Sequence, residues 1–212
     1  MQKFKNLGIM GGTFDPIHYG HLIAAEFARH EFNLDRVIFM PAARPPHKDR
    51  TQVLDEKHRY EMVKRAIRGN KAFTISDLEK KRAGYSYTID TVSYFLETYP
   101  GTNIFFIMGT DSLLLMDTWK EYETLAGLCQ FVVVTRPGYR VKPDEPALKK
   151  LPPVTWENIH FLSIPALDIS SSDIRLRVAT GKPIKYLLPL DVEQYIKEKG
   201  LYRNGKEGLK GC

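Results

Sequence analysis

The sequence predicts an α/β fold, a doubly wound Rossmann-like parallel sheet with a small helical C-terminal part. Three observations carry this. Continuous apolar runs, Ile104-Phe105-Phe106-Ile107-Met108 and Phe131-Val132-Val133-Val134 the clearest, suit strands covered on both faces. Segments with apolar residues every three or four positions alternate with such runs at least four times. A glycine-rich turn directly follows the first run, where a doubly wound sheet meets its first helix.

Taken in order, Phe4 to Met10 reads as a buried strand and Gly11 to Pro16 as a loop. A helix follows from about Tyr19 to His30, with Leu22, Ala25 and Ala28 on its apolar side. Val37 to Met40 is a short strand ended by Pro41, and a helix runs from about Asp55 to Arg68 on the stripe Met62, Val63, Ala66 and Ile67. Phe73 to Leu78 reads as a strand; Ile89, Val92, Phe95, Leu96 and Tyr99 mark a helix ended by Pro100-Gly101. After the two strong strands, Pro137 to Glu157 is rich in proline and charge and is expected on the surface. A last strand, Ile159 to Leu162, leads to a serine-rich helix start at Ser170. Asp191 is expected to cap a final helix that stops at Gly200.

With 212 residues the chain suits one domain, placed at 1–202 with its helical part from about 170 and a tail at 203–212. At 43% hydrophobic and 26% charged it carries a core and is not a disordered polymer. Cys129 and Cys212 cannot build a disulfide framework, and no secretory pattern opens the chain, so a cytoplasmic location is expected. No apolar run nears the ~20 residues that span a bilayer. The net charge of +6 fits a polyanionic ligand without naming it. The basic residues are scattered and have no interleaved aromatic repeat, which disfavours nucleic acid as a partner.

The most informative segment is Gly11-Gly12-Thr13-Phe14-Asp15-Pro16-Ile17-His18-Tyr19-Gly20-His21. Glycines after a strand let backbone pass close to a ligand, and the helix N-terminus beyond them favours an anion. His18 and His21, three residues apart, can share one side of the first turn, with Gly20 leaving space between them. Capping, packing or zinc ligation is open to such histidines, but no further metal ligand is near in sequence. Ser170 and Ser171, with Arg175 one turn on, form a second candidate anion site, or an ordinary cap. Gly109 and Asp111 follow the strongest strand, at the carboxyl end where α/β folds bind ligands. Tyr87 and Thr88 open a helix whose amides would stabilise a carboxylate, and Trp119 offers a face for a cationic ring; packing is the alternative for Trp119 and Tyr85.

His18-x-Gly20-His21 resembles the nucleotidylyltransferase signature, shared with class I aminoacyl-tRNA synthetases. The longer match from Gly11 to His21 resembles the bacterial nicotinate-nucleotide adenylyltransferases, and the resemblance reaches to about Tyr202. It implies transfer of AMP from ATP to nicotinate mononucleotide, giving nicotinate adenine dinucleotide and pyrophosphate, in NAD biosynthesis. It also implies that His18, His21, Lys48 and Arg175 act on the phosphates, with Lys48 on the Pro45-Pro46-His47-Lys48 loop. Gly11, Gly12, Thr13, Phe14, Gly20, Gly109, Asp111, Arg136, Ser170 and Ser171 would hold ATP. Tyr85, Tyr87, Thr88 and Trp119 would hold the nicotinate mononucleotide. Mg²⁺ is expected with ATP, with no ligands from protein side chains. A homo-oligomer is compatible with the sequence; membrane and nucleic-acid partners are not expected. Rival readings are a phosphopantetheine or cytidylyl transferase, a class I synthetase, and a nucleotide sensor without turnover.

Overall fold

The computed structural model describes residues 3–44, 53–82, 84–135, 148–149, 151, 153–165 and 167–203. Six strands form one parallel sheet: β1 (Asn6–Gly12), β2 (Arg36–Pro41), β3 (Phe73–Ile75), β4 (Asn103–Gly109), β5 (Gln130–Thr135) and β6 (Ile159–Ser163). Their order, β3-β2-β1-β4-β5-β6, reverses between β1 and β4. That is the doubly wound arrangement, and its crevice lies beyond the carboxyl ends of β1 and β4.

The helices are α1 (Tyr19–Glu31), α2 (Glu56–Ala66), α3 (Leu78–Lys81), α4 (Thr88–Thr98), α5 (Thr110–Leu113), α6 (Tyr122–Leu128), α7 (Pro153–Glu157), α8 (Ser171–Ala179) and α9 (Leu190–Lys199). A 3₁₀ turn, Met116–Thr118, lies between α5 and α6. Successive strand residues point to opposite faces, so each strand feeds two cores. Val37, Phe39, Ile107 and Val132 join α1, α2, α8 and α9 on one side. Leu7, Ile9, Phe106, Phe131 and Val133 join α4, α5, α6 and α7 on the other. Continuous apolar strands follow from burial on both faces.

Several boundaries differ from the sequence expectation for physical reasons. β3 stops at Ile75, and Leu78 instead opens α3. Ser76 accepts the Leu78 amide through its side chain, which turns the backbone out of the sheet. The final helix is capped by Pro189, with Asp191 inside its first turn, paired to Arg68 at 3.0 Å. Gly200 closes that helix at φ +60°, a left-handed cap that favours glycine. Pro137–Glu157 is not wholly a surface excursion: Leu148, Leu151 and Thr155 are buried, because α7 packs against α6 and Leu148 and Leu151 join the core on this face of the sheet. α6 has no counterpart in the sequence reading.

One charged side chain sits in the core. Arg59, on α2, is 1% exposed. It donates to the carbonyls of Leu54 and Thr13, both at 2.8 Å, and of Ala43 at 3.4 Å. Asp15 lies close enough to oppose its desolvation by charge. The Asp15 carboxylate accepts from the Tyr202 hydroxyl at 2.6 Å and from the Leu54 amide at 3.3 Å. Arg59→Met is expected to lose on the order of 3 kcal/mol, because three carbonyls lose their donor and the buried Asp15 carboxylate loses a nearby opposite charge. Urea unfolding measures this, and a midpoint equal to that of the parent would show that Arg59 contributes nothing net.

Candidate active site

The crevice at the β1/β4 reversal holds a cavity of about 560 Å³. Gly11, Gly12 and Thr13 form one part of its lining; Tyr87, Thr88 and Trp119 form another. The Gly11–Thr13 stretch, the Tyr87–Thr88 turn and Trp119, far apart in sequence, are thus brought to one space, whose lining does not include His18, His21, Ser170, Ser171 or Arg175.

The first part is built on the β1–α1 junction. His18 is the N-cap of α1, and His21 stands three residues into the helix. Their ring centroids are 3.8 Å apart, and His21 Nδ1 accepts the His18 backbone N–H at 3.3 Å. Gly20 lets this pair pack closely. A Cβ there would lie 3.0 Å from both Cε1 and Nδ1 of His18, so the space left by glycine is occupied by the His18 ring. Phe14 is 2% exposed and its ring packs edge-on to His21, so only the Phe14 backbone faces the loop surface. His18 is 7% exposed, and burial lowers its pKa to about 4.

α8 docks against this junction. Ser170 is its N-cap and accepts the Asp173 amide at 3.1 Å. Ser171 donates to the Pro16 carbonyl at 2.9 Å, and Arg175 Nη1 donates to the Asp15 carbonyl at 2.6 Å. Arg175 Nη2 meets Ser172 at 3.3 Å, while its Nε is buried without a partner. The two candidate anion segments are therefore in contact, and in the free chain their polar groups brace one another. Gly109 ends β4 and is the N-cap of α5; Asp111 is exposed in its first turn. Neither lines the cavity, whereas their neighbours Met108 and Ser112 do. Lys48 and Arg136 lie outside the described residues.

The second part is built on α4. Tyr87 is its N-cap and Thr88 its first residue, so the helix opens toward the cavity with amides uncommitted to the helix ladder. Trp119 ends the 3₁₀ turn and rests edge-on against Phe106, at 5.8 Å and 81°. Trp119 also lines the cavity. Tyr85 is half exposed, and its ring lies 6.2 Å from that of Tyr87.

Several groups at the site carry no motif in the sequence. Ser86 Oγ accepts the amides of Ala43 and Arg44 at 3.1 and 3.2 Å, and its own amide donates to the Arg44 carbonyl. Glu79 and Thr91 also line the cavity. An arginine on the apolar stripe of α2, three and four residues before Met62 and Val63, was the available signal for Arg59. Glu79 has no such signal, because it sits in the polar run Leu78-Glu79-Lys80-Lys81.

A family model described as cytidylyltransferase-like matches residues 9–177. A relative from Desulfitobacterium hafniense (strain Y51), named "Probable nicotinate-nucleotide adenylyltransferase", is 51% identical over 94% of this chain and 96% of its own. One of the same name from Moorella thermoacetica is 50% identical over 96% of this chain and 94% of its own. Among solved structures, a Plasmodium falciparum nicotinic acid mononucleotide adenylyltransferase complexed with NaAD superposes with a TM-score of 0.76 at 25% identity, covering 93% of this chain and 97% of its own. The same enzyme complexed with APC gives 0.75 at 23% identity, with the same coverage. The chain belongs to the cytidylyltransferase-like nucleotidyltransferases and, within them, to the nicotinate-nucleotide adenylyltransferases.

Proposed function

We infer that this chain transfers AMP from ATP to nicotinate mononucleotide, releasing pyrophosphate, with the roles divided as follows. The observation that carries the division is the shared cavity: the glycine loop before α1 and the open end of α4 line the same space. ATP phosphates lie against Gly11, Gly12 and the N-terminus of α1, with His18, His21, Arg175 and Lys48 as their ligands. Arg136, Gly109 and Asp111 serve the adenosine. The nicotinate ring stacks on Trp119, and its carboxylate meets the amides of Tyr87 and Thr88, where a helix N-terminus favours an anion over a neutral carboxamide.

The acceptor phosphate has a second pKa near ~6 and is mostly ionised at neutral pH, so no general base is needed. The protein's task is to hold two anions in line and to stabilise the charge leaving on pyrophosphate. Among the described residues, no group of three or more His, Cys, Asp or Glu side chains is placed to hold a metal ion. Histidines, arginine, hydroxyls and amides are anion ligands, which fits a Mg²⁺ that arrives on the triphosphate with water as its remaining ligand. When bound there it neutralises triphosphate charge. We further propose a cytoplasmic enzyme acting on free nucleotides and not on nucleic acid; among the described residues, no helix is long and apolar enough to cross a membrane.

His18 enters this chemistry neutral. With its pKa lowered to about 4, it carries no fixed charge in the free chain, and its buried Nδ1 has no partner among the described residues. Its cationic form becomes available only as bound phosphate opposes the effect of burial.

Purified protein with ATP and Mg²⁺ is expected to release pyrophosphate rapidly with nicotinate mononucleotide and slowly with nicotinamide mononucleotide. Equal rates would retain adenylyl transfer and remove the role given to Tyr87 and Thr88; no release with either would remove the reaction. His18→Ala and His21→Ala should each lower turnover by ~10²–10³, as for loss of one donor to a developing charge. Near-parent turnover in both would remove their assignment.

Stability gives a separate reading of His18. The folded chain keeps the residue neutral down to pH about 4, whereas the unfolded chain protonates it near 6.5. Between those values the unfolded chain binds more protons, so stability falls as pH falls through the window. The drop in melting temperature from pH 6.5 to 4 should be smaller in His18→Gln than in the parent, and equal drops would assign acid sensitivity to other groups.

A further inference from the structure

The pocket assigned to an acid contains an acid of its own. Glu79 lines the cavity together with Tyr87, Thr88 and Trp119, although it is 8% exposed. Its Oε1 accepts the Thr91 hydroxyl at 3.0 Å, and its buried Oε2 has no described donor within hydrogen-bonding distance, although the Ser86 hydroxyl and the Ala43 amide are near enough to favour its charged form. A carboxylate brought in by the ligand would share a low-dielectric space with this carboxyl. Two like charges in one site disfavour double ionisation, and one of the two takes up a proton.

We propose that Glu79 is a specificity-determining residue for the acceptor: protonated, it admits the nicotinate carboxylate to the cavity, and ionised, it disfavours that carboxylate relative to the neutral carboxamide. This rests on the acid-selective reading of the Tyr87–Thr88 helix terminus and adds a pH-dependent gate to it.

The surroundings favour the neutral form without fixing it. Burial is the largest influence and raises the Glu79 pKa; Ser86, Thr91, the Arg82 charge and the Ala43 amide oppose it. Arg82, at the end of Glu79's own helix, spends one nitrogen on the Asp90 carbonyl at 3.0 Å. From the far wall Lys120 is the facing cation, and it is paired to Asp90 at 3.2 Å and to Glu121 at 3.6 Å. Lys81, on the helix of Glu79, is paired to Asp77. β2 and β4 bring only apolar Met40, Phe106 and Met108 to the cavity. Lys120 and Lys81 are thus committed to other carboxylates, whereas Arg82, whose Nη1 is buried without a partner among the described residues, opposes the effect of burial on Glu79 without reversing it.

The test is the ratio of kcat/KM for nicotinate mononucleotide to that for nicotinamide mononucleotide, measured from pH 5 to pH 9. Both substrates carry the same titrating phosphate, so its ionisation cancels in the ratio. In the parent the ratio should fall at least about tenfold as pH rises through the Glu79 transition, one pKa unit of like-charge coupling being tenfold. In Glu79→Gln, which keeps the shape and the acceptor for Thr91, the ratio should be flat. A flat parent profile, or the same fall in the variant, would overturn the proposal while leaving acid selectivity intact. No preference at any pH would remove the selective reading and this proposal with it. If Glu79→Gln does not fold, Thr91→Val supplies the test. It removes a donor that favours the charged carboxylate, so the fall should move to higher pH, and a fall that stays in place overturns the proposal.

Discussion

The hydrogen bonds from buried Arg59 to the carbonyls of Thr13, Ala43 and Leu54 are the constraint on which the rest of the site depends. Removing a guanidinium from water is costly, and here three carbonyl acceptors and the nearby Asp15 charge offset the cost. The arrangement also orients peptides. A trans peptide directs its N–H opposite to its C=O, so tying the Ala43 carbonyl to Arg59 sends the Arg44 N–H the other way. That N–H is the one Ser86 accepts at 3.2 Å. By the same geometry, fixing the Thr13 carbonyl turns the Phe14 N–H away from Arg59, leaving the β1–α1 loop with oriented amides. Backbone dipoles held in this way need little reorganisation when charge develops against them.

Much of the fold was legible because its strands are short, continuous and apolar, and because α1, α2 and α4 carry clear periodicity. Segments decided by packing were less so. α6 is a seven-residue helix with Gly127 inside it and burial confined to Leu125 and Ala126, too little pattern to read. α7 lies in a stretch whose prolines and charges mask Leu148 and Leu151. Of the site, His18, Gly20 and His21 were visible as a local motif, and so was the Tyr87–Thr88 helix start. Arg59, Asp15 and Tyr202 act through contacts between residues up to 187 positions apart, and spacing alone does not show such contacts.

The same contacts explain why α8 and the C-terminal helix belong to the site although they lie beyond the last strand. Ser171 and Arg175 hold the carbonyls of Pro16 and Asp15, and Tyr202 holds the Asp15 side chain. Asp15 is thereby gripped at its backbone from one helix and at its carboxylate from the end of the next. From the end of β1 to Pro16, the carbonyls of Gly12, Thr13, Asp15 and Pro16 and the Asp15 carboxylate are satisfied from behind, which keeps them from facing an anion. A loop with free carbonyls could turn them toward the cavity, where they would repel phosphate.

Ala43 joins the two halves of the cavity mechanically. Its amide is held by Ser86, next to the Tyr87–Thr88 helix start, and its carbonyl by Arg59, which also holds Thr13. Displacing the α4 entrance would pull on Ala43 and, through Arg59, on the phosphate-facing loop. In-line transfer between two separately bound nucleotides requires their reacting atoms to meet within a few tenths of an ångström, and misplacement is costly in rate. A chain of three hydrogen bonds between the half-sites supplies that registration without either substrate touching the other's loop. The buried arginine that orients the loop amides thereby also sets the distance between the two binding surfaces.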